Sequence, residues 1–165
     1  YITTVWDPEG RKTVMQLIKG ASKERLYPVG RLDKNSTGLL IMTNDGEFAR
    51  KIAHPSSNII KLYEVVLDKH ITQDILNEIA QGVQFDDGFV HVDSVAFVEN
   101  AKSKNTVGIE LHSGKYHVVK RIFEKFGFTV LKLDRTRIDI LTKKNLPRGK
   151  WRFLTESEVQ LLKRL

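Results

Sequence analysis

Asp33 is the residue with the most chemical promise. It sits in the run Pro28-Val29-Gly30-Arg31-Leu32-Asp33-Lys34-Asn35-Ser36-Thr37-Gly38-Leu39-Leu40-Ile41-Met42-Thr43-Asn44-Asp45-Gly46. Apolar stretches lead into and out of this run, with glycine on both sides of the acid, so the carboxylate is bracketed by segments that must bury. Arg31 supplies a cation that can grip phosphate or hold the carboxylate ionised. An Asp in such a turn more often just bonds its own backbone, although loops are also where sites concentrate. A second group is Lys61-Leu62-Tyr63-Glu64-Val65. Strand alternation puts Lys61, Tyr63 and Val65 on one face. A tyrosine in an apolar strand is ordinarily core, but a base beside an aromatic is the pairing that suits a stacked nucleobase and its phosphate. The third is Gly114-Lys115-Tyr116-His117-Val118-Val119-Lys120-Arg121-Ile122-Phe123. On a helix, Val119, Phe123 and Phe126 make an apolar stripe, with Lys120 and Arg121 on its flanks.

The segment Lys143-Lys144-Asn145-Leu146-Pro147-Arg148-Gly149-Lys150-Trp151-Arg152 carries five cations and no acid, the pattern of an exposed loop with non-specific RNA contact. Trp151 is expected there as a core anchor rather than a stacking platform. His54, His70, His91, His112 and His117 show no ligand spacing, so no metal site is expected. No phosphate-cradling Gly-x-x-x-x-Gly-Lys-Ser/Thr occurs, which argues against a nucleoside-triphosphate engine.

The chain is long enough, at 165 residues, to bury a real core as one domain. Its 27 Lys and Arg against 20 Asp and Glu give a charge of +7, which favours a polyanionic partner, ordinarily nucleic acid. The lack of cysteine excludes disulfides and thiolate metal ligation and fits a reducing, cytoplasmic setting. No apolar run approaches the roughly 20 residues needed to span a bilayer. A membrane partner is not expected, and nothing demands more than a monomer.

The positioning elements can be read from period and punctuation. Helices are predicted over 11–19, from Asn44 or Asp45 through Ile52, over 73–81 with Thr72 as cap and Gly82 at its end, and over 117–126 ended by Gly127. Thr155-Glu156-Ser157-Glu158 is a capping box for a last helix with Val159, Leu162 and Leu165 on its apolar face. Strands are predicted over 1–5, 26–32, 39–43, 58–67, 107–112 and 129–141. Residues 83–85 and 89–98 form a hairpin turned by Asp86-Asp87-Gly88. The fold class is α+β around a largely antiparallel sheet flanked by helices.

Three of these segments, in order, resemble one family. The Gly30-Arg31-Leu32-Asp33 run, the Lys61-x-Tyr63 segment and residues 114–123, with an ending Leu146-Pro147-x-Gly149-x-Trp151-Arg152-x-Leu154-Thr155, are similar to the RsuA/RluB family of ribosomal RNA pseudouridine synthases. The resemblance implies a pseudouridine synthase fold and isomerisation of a uridine in rRNA without a cofactor, with Asp33 as the essential catalytic residue. It implies that Tyr63 lies against the target uracil and acts in proton transfer, and that a cation of the third segment pairs with Asp33. By register that cation is Lys120, with Arg121 next. The Tyr116-His117 form of the third segment looks more like the members acting on small-subunit rRNA. The chain has Val118 where the family usually has Gln, and Ile122 where it has Met, so no role carries over to position 118.

The implied reaction breaks a uridine's glycosidic bond and rejoins the sugar C1′ to carbon 5 of the base. The uridine must be turned out of its stack. Arg31, Lys61, Lys115, His117, Arg121 and Arg152 are the candidate RNA contacts along a basic channel. A cation from Lys120 or Arg121 would keep Asp33 charged; a covalent ester and an elimination to a glycal both remain open. Family members usually begin with a small helical RNA-binding domain, and nothing here resembles one. Residues 1–165 are therefore expected to be the catalytic domain. A non-catalytic RNA-binding or ribosome-assembly module would use the same basic surface. A magnesium-dependent nuclease would need Asp45 or Asp134 beside Asp33.

Overall fold

The computed structural model describes residues 1–3, 7–54, 56–99, 103–114 and 117–164. Its centre is a mixed, mostly antiparallel sheet. The strand order is β10 (Leu141–Thr142), β9 (Val130–Ile138), β4 (Lys61–Leu67), β8 (Thr106–Leu111), β7 (Ser94–Phe97). A short β2 (Thr37–Gly38) joins this sheet parallel to β9. Two small antiparallel pairs complete the strands: β1 (Tyr27–Val29) with β3 (Ile41–Thr43), and β5 (Val83–Phe85) with β6 (Gly88–Val90). The class is α+β, as the alternating periods predict.

The helices start where side chains can satisfy their first amides. Asp45 accepts from the amides of Glu47 and Phe48 at the head of α1 (Gly46–Ala53). Thr72 accepts from Ile75 at α2 (Gln73–Ala80). Thr155 and Glu158 close the capping box of α4 (Glu156–Lys163). The fourth helix, α3 (Val118–Lys125), begins after His117, which has left-handed dihedrals (φ 48°, ψ 33°) and makes no side-chain cap.

Two apolar cores result. The larger gathers α2 and α3 with the sheet and includes Val65, Leu76, Ile79, Val107, Ile109, Leu111, Ile122, Phe123 and Leu133. The smaller joins Val29, Ile41, Phe48, Ile52, Ile59, Ile138, Leu141 and Leu162. The β4–β9 ladder contributes to both, and a cleft opens between them.

Three expectations fail. The strand expected over 89–98 is two strands, β6 pairing with β5 while β7 joins the central sheet beside β8. The helix expected over 11–19 is a single 3-10 turn, Val14–Gln16. The stretch before it is spent on Ile2, whose amide donates to Lys12 O at 2.9 Å and whose carbonyl accepts from Val14 N at 3.0 Å. Extended backbone held this way cannot also form a first helical turn. Trp151 is not a core anchor but is 43% exposed, edge-on to Phe153 with ring centroids 5.1 Å apart. Leu162, from the apolar face of α4, is fully buried in the small core. Thr4 and Val5 of the expected first strand, with Leu165, lie outside the described residues. Among the described residues no helix is long and apolar enough to cross a membrane.

Candidate active site

The loop between β1 and β2 carries Asp33, and it is fixed at both ends. Gly30 turns the chain out of β1 with φ +73°, a conformation that favours glycine. The Thr3 hydroxyl donates to Leu32 O and accepts from Leu32 N, each at 3.2 Å. Ser36 N donates to Asp33 O at 2.9 Å and closes the turn. On the far side Thr37 Oγ1 donates to Asp134 Oδ1 at 2.9 Å. Gly38 lies so close to β9 that a Cβ there would stand 2.3 Å from Arg135 O, so the position takes no side chain. Arg135 is 4% exposed, and its Nε and Nη2 donate to Leu39 O at 2.9 and 2.7 Å. A buried guanidinium thus ties the exit of the acidic loop to the central sheet.

Asp33 itself is partly covered, its side chain 22% exposed. Lys120 Nζ is 3.5 Å from its Oδ2, and His117 Nε2 is 2.9 Å from its Oδ1. Both contacts come from the start of α3. The cation facing the acid is therefore Lys120. One residue further is about 100° around the helix, which turns Arg121 toward the β5–β6 turn. There its Nη2 and Nη1 donate to Asp87 at 2.7 and 3.2 Å, and the guanidinium lies 4.6 Å from the Phe85 ring centre. Asp87 stabilises the Arg121 charge further. His117, expected as an RNA contact, instead touches the acid. Its left-handed backbone costs on the order of 1 kcal/mol and aims the ring at the loop.

The cleft above Asp33 holds about 870 Å³ of space including its open mouth. The loop lines it with Arg31, Leu32 and Asp33, the sheet with Lys61, Tyr63, Leu133, Arg135 and Ile138, and the α3 side with Gly114, His117 and Val119. The pairing of β4 with β9 slips between Leu62, opposite Arg137, and Tyr63, opposite Arg135. The slip puts Arg135 on the face that carries Tyr63, since directly paired residues share a face. Lys61 lies on the same wall. Its own burial, and secondly Arg135, push its ammonium down to about 8. Arg31 sits exposed at the lip.

Of the expected site residues, Asp33, Tyr63, Lys61, Arg31 and His117 line this one cleft, and Lys120 reaches Asp33. Arg121 faces Asp87 instead. Arg152 does not line the cleft; it pairs with Glu158 through two contacts of 2.8 Å. Lys115 lies outside the described residues. Asp45 caps α1, and Asp134 binds Thr37 and Lys143, so neither carboxylate joins Asp33. Sequence reasoning missed Arg135. The available signal was a charge at an inward position of β9, two residues after buried Leu133.

The family description "RNA pseudouridylate synthase" matches residues 3–125, which contain the Asp33 loop, Tyr63 and Lys120. The chain belongs to that family. It is 41% identical over 155 residues to an uncharacterized RNA pseudouridine synthase of Aquifex aeolicus, covering 94% of this chain and 62% of the relative. It is 35% identical over 165 residues to the ribosomal large subunit pseudouridine synthase B of Vibrio cholerae, covering 99% of this chain and 51% of that protein. The chain thus spans about half to two thirds of the length of these relatives. A crystal structure of a pseudouridylate synthase matches with a TM-score of 0.81 and 28% identity, over 91% of this chain and 65% of that one. The fold is the pseudouridine synthase fold.

Proposed function

We propose that this protein converts a uridine of ribosomal RNA to pseudouridine, with Asp33 as the reacting carboxylate. The observation that carries the reading is the convergence on one cleft of a half-buried Asp33, contacted by Lys120 and His117, with Tyr63 on the adjoining wall. An everted nucleotide enters with its base against Tyr63 and its ribose toward Asp33. Arg31 at the lip contacts the backbone phosphates. Lys120 places its ammonium beside one Asp33 oxygen, and His117 fixes the orientation of the other. The carboxylate either bonds C1′ as the glycosidic bond breaks or removes the C2′ proton. Both routes need the ionised acid. The cytoplasm is the compartment this substrate implies.

The named relatives support large-subunit rRNA as substrate. The Tyr116-His117 form supports small-subunit rRNA. Transcripts of both RNAs, tritiated at uridine C5, test the function and the choice together. Tritium release and a mapped pseudouridine in one transcript are expected. RNA binding without release would make the protein a non-catalytic module, and magnesium-dependent strand cleavage would make it a nuclease.

A further inference from the structure

Lys61 is placed differently from a lysine that meets backbone phosphate. It is half-buried on the cleft wall, and Val29, Ile41, Leu133 and Ile138 line the same cleft. Among the described residues it has no carboxylate or carbonyl partner. The acid among the described lining residues is Asp33, whose two oxygens face His117 and Lys120. The other cation nearby, Arg135, is committed to Leu39 O. Two positive charges therefore share one wall without an anion between them. That costs free energy: burial first, and the Arg135 charge second, lower the pKa of Lys61 to about 8. An anion arriving beside Lys61 relieves the cost.

Phosphates stay hydrated at the lip, where Arg31 is exposed. What comes to lie beside Lys61 is whatever stacks on Tyr63, two residues along the same strand and about 7 Å away. That is the base. Uracil in RNA is neutral in the ground state, but when its C1′–N1 bond breaks the electron pair leaves with it, and negative charge spreads over N1, O2 and O4. Resting on the synthase reading above, we propose that Lys61 is a catalytic residue: its ammonium hydrogen-bonds the oxygens of the departing uracil and holds the negative charge the base acquires as C1′–N1 breaks.

The step balances by either route. One unit of negative charge passes from Asp33 to uracil, while Asp33 either forms an ester to C1′ or takes the C2′ proton. Lys61 keeps its proton, because a neutral uracil would lose the electron density that carbon 5 needs to attack C1′. On return the C5–C1′ bond forms and the Asp33 oxygen leaves, or C2′ regains its proton. The C5 proton is then lost and N1 gains one. The charge Lys61 stabilises is absent from the bound ground state, so the contact accelerates the chemistry rather than tightening binding.

The test is single-turnover conversion of saturating rRNA transcript by wild type, Lys61→Met and Lys61→Arg, from pH 6.5 to 9.5, beside Kd for the same RNA at several salt concentrations. Lys61→Met is expected to slow bond breaking about 10²-fold, with Kd within about threefold and its salt dependence unchanged. The wild-type rate should fall as pH rises past about 8, where Lys61 loses its proton. Lys61→Arg should recover most of the rate and move that fall upward. Asp33 and Arg31 from the loop, Tyr63 from β4, Arg135 from β9, and His117 and Lys120 from α3 and its approach are present in every variant. A limb that moves with the substitution therefore belongs to position 61. A 5-fluorouridine target, whose base is the better-stabilised anion, should shrink the Lys61→Met deficit to about tenfold or less. An unchanged saturated rate with weaker binding and a salt slope lowered by about one would make Lys61 a phosphate contact and overturn the inference. An undiminished 5-fluorouridine deficit would also overturn it. If Asp33→Asn is inactive while Lys61→Met is not slowed, only this inference fails. An active Asp33→Asn would remove the synthase reading beneath it.

Discussion

The cleft around Asp33 and the segment from Lys143 to Arg152 are both rich in cations, and folding uses them in opposite ways. In the cleft the cations come from separate elements: Arg31 from a loop, Lys61 and Arg135 from neighbouring strands, Lys120 from a helix. Lys61 is half-buried, Arg135 is held by Leu39 O and Lys120 by Asp33, while Arg31 stands exposed at the lip; together they surround one acid and one phenol. In the C-terminal segment five cations crowd ten residues, yet Arg152 is closed on Glu158 and Lys143 on Asp134. Trp151 and Phe153 beside them lie in the open. Charge density along a chain makes an attractive surface; convergence of charge from distant parts of the chain makes a place where a reaction can be steered.

Substitutions that remove charge from each region should sharpen the contrast. After the loss of Asp33 itself, a large effect is expected within α3, where adjacent cations have parted. Lys120→Met should lower the single-turnover rate about 10²-fold, while Arg121→Ala, which breaks the contact with Asp87 on a neighbouring turn, should stay within about threefold. Equal losses would mean that proximity to Asp33 is not what matters. Next comes Arg135→Met, which leaves Leu39 O without its guanidinium donors. A loss of about 2 kcal/mol is expected, seen as a Tm lower by roughly 4–8 °C. An unchanged Tm would show that the loop exit is held by β2 alone.

The smallest effect belongs to the C-terminal region and appears in acid. Arg152, and then the Thr155 amide, hold the Glu158 carboxyl down from 4.5 to about 2. A carboxyl lowered by folding stabilises the folded state above its unfolded value and loses that contribution as pH falls. Glu158→Gln should therefore flatten the part of the acid-side stability loss that falls between pH 4.5 and about 2. At pH 7 it should change stability by no more than about 1 kcal/mol, because the pair is exposed. Chemical denaturation of both proteins at pH 2.5, 4 and 7 reads this directly, and parallel curves would contradict it.

Much of this was legible locally. Glycines around Asp33, alternation joining Lys61 to Tyr63, the Thr72 cap and the Thr155–Glu158 box each depend on a few residues, so the sequence pattern carries them. Other features depend on contacts between distant parts of the chain. Arg135 joins the cleft through a register slip with β4, and β9 read alone offers only a misplaced charge. The choice of Lys120 over Arg121 needed the actual phase of α3 and the presence of Asp87 across from it. His117 reads as one more basic residue until its left-handed backbone is seen to aim it at Asp33. Residues 11–19 have a helical spacing of apolar side chains, but the pairing of Ile2 with Lys12 and Val14 takes the backbone first. Trp151 looked like core because it is large and apolar, yet it lies 43% exposed against Phe153.

The whole account turns on Asp33, so the most direct test is Asp33→Asn assayed by tritium release from the rRNA transcript that wild type converts, with Kd and Tm measured on the same preparation. The substitution keeps the size of the side chain and removes its charge. Release is expected to drop by at least about 10³-fold, with RNA affinity and Tm close to wild type. Release at the wild-type rate would contradict the assignment of the reaction to this cleft.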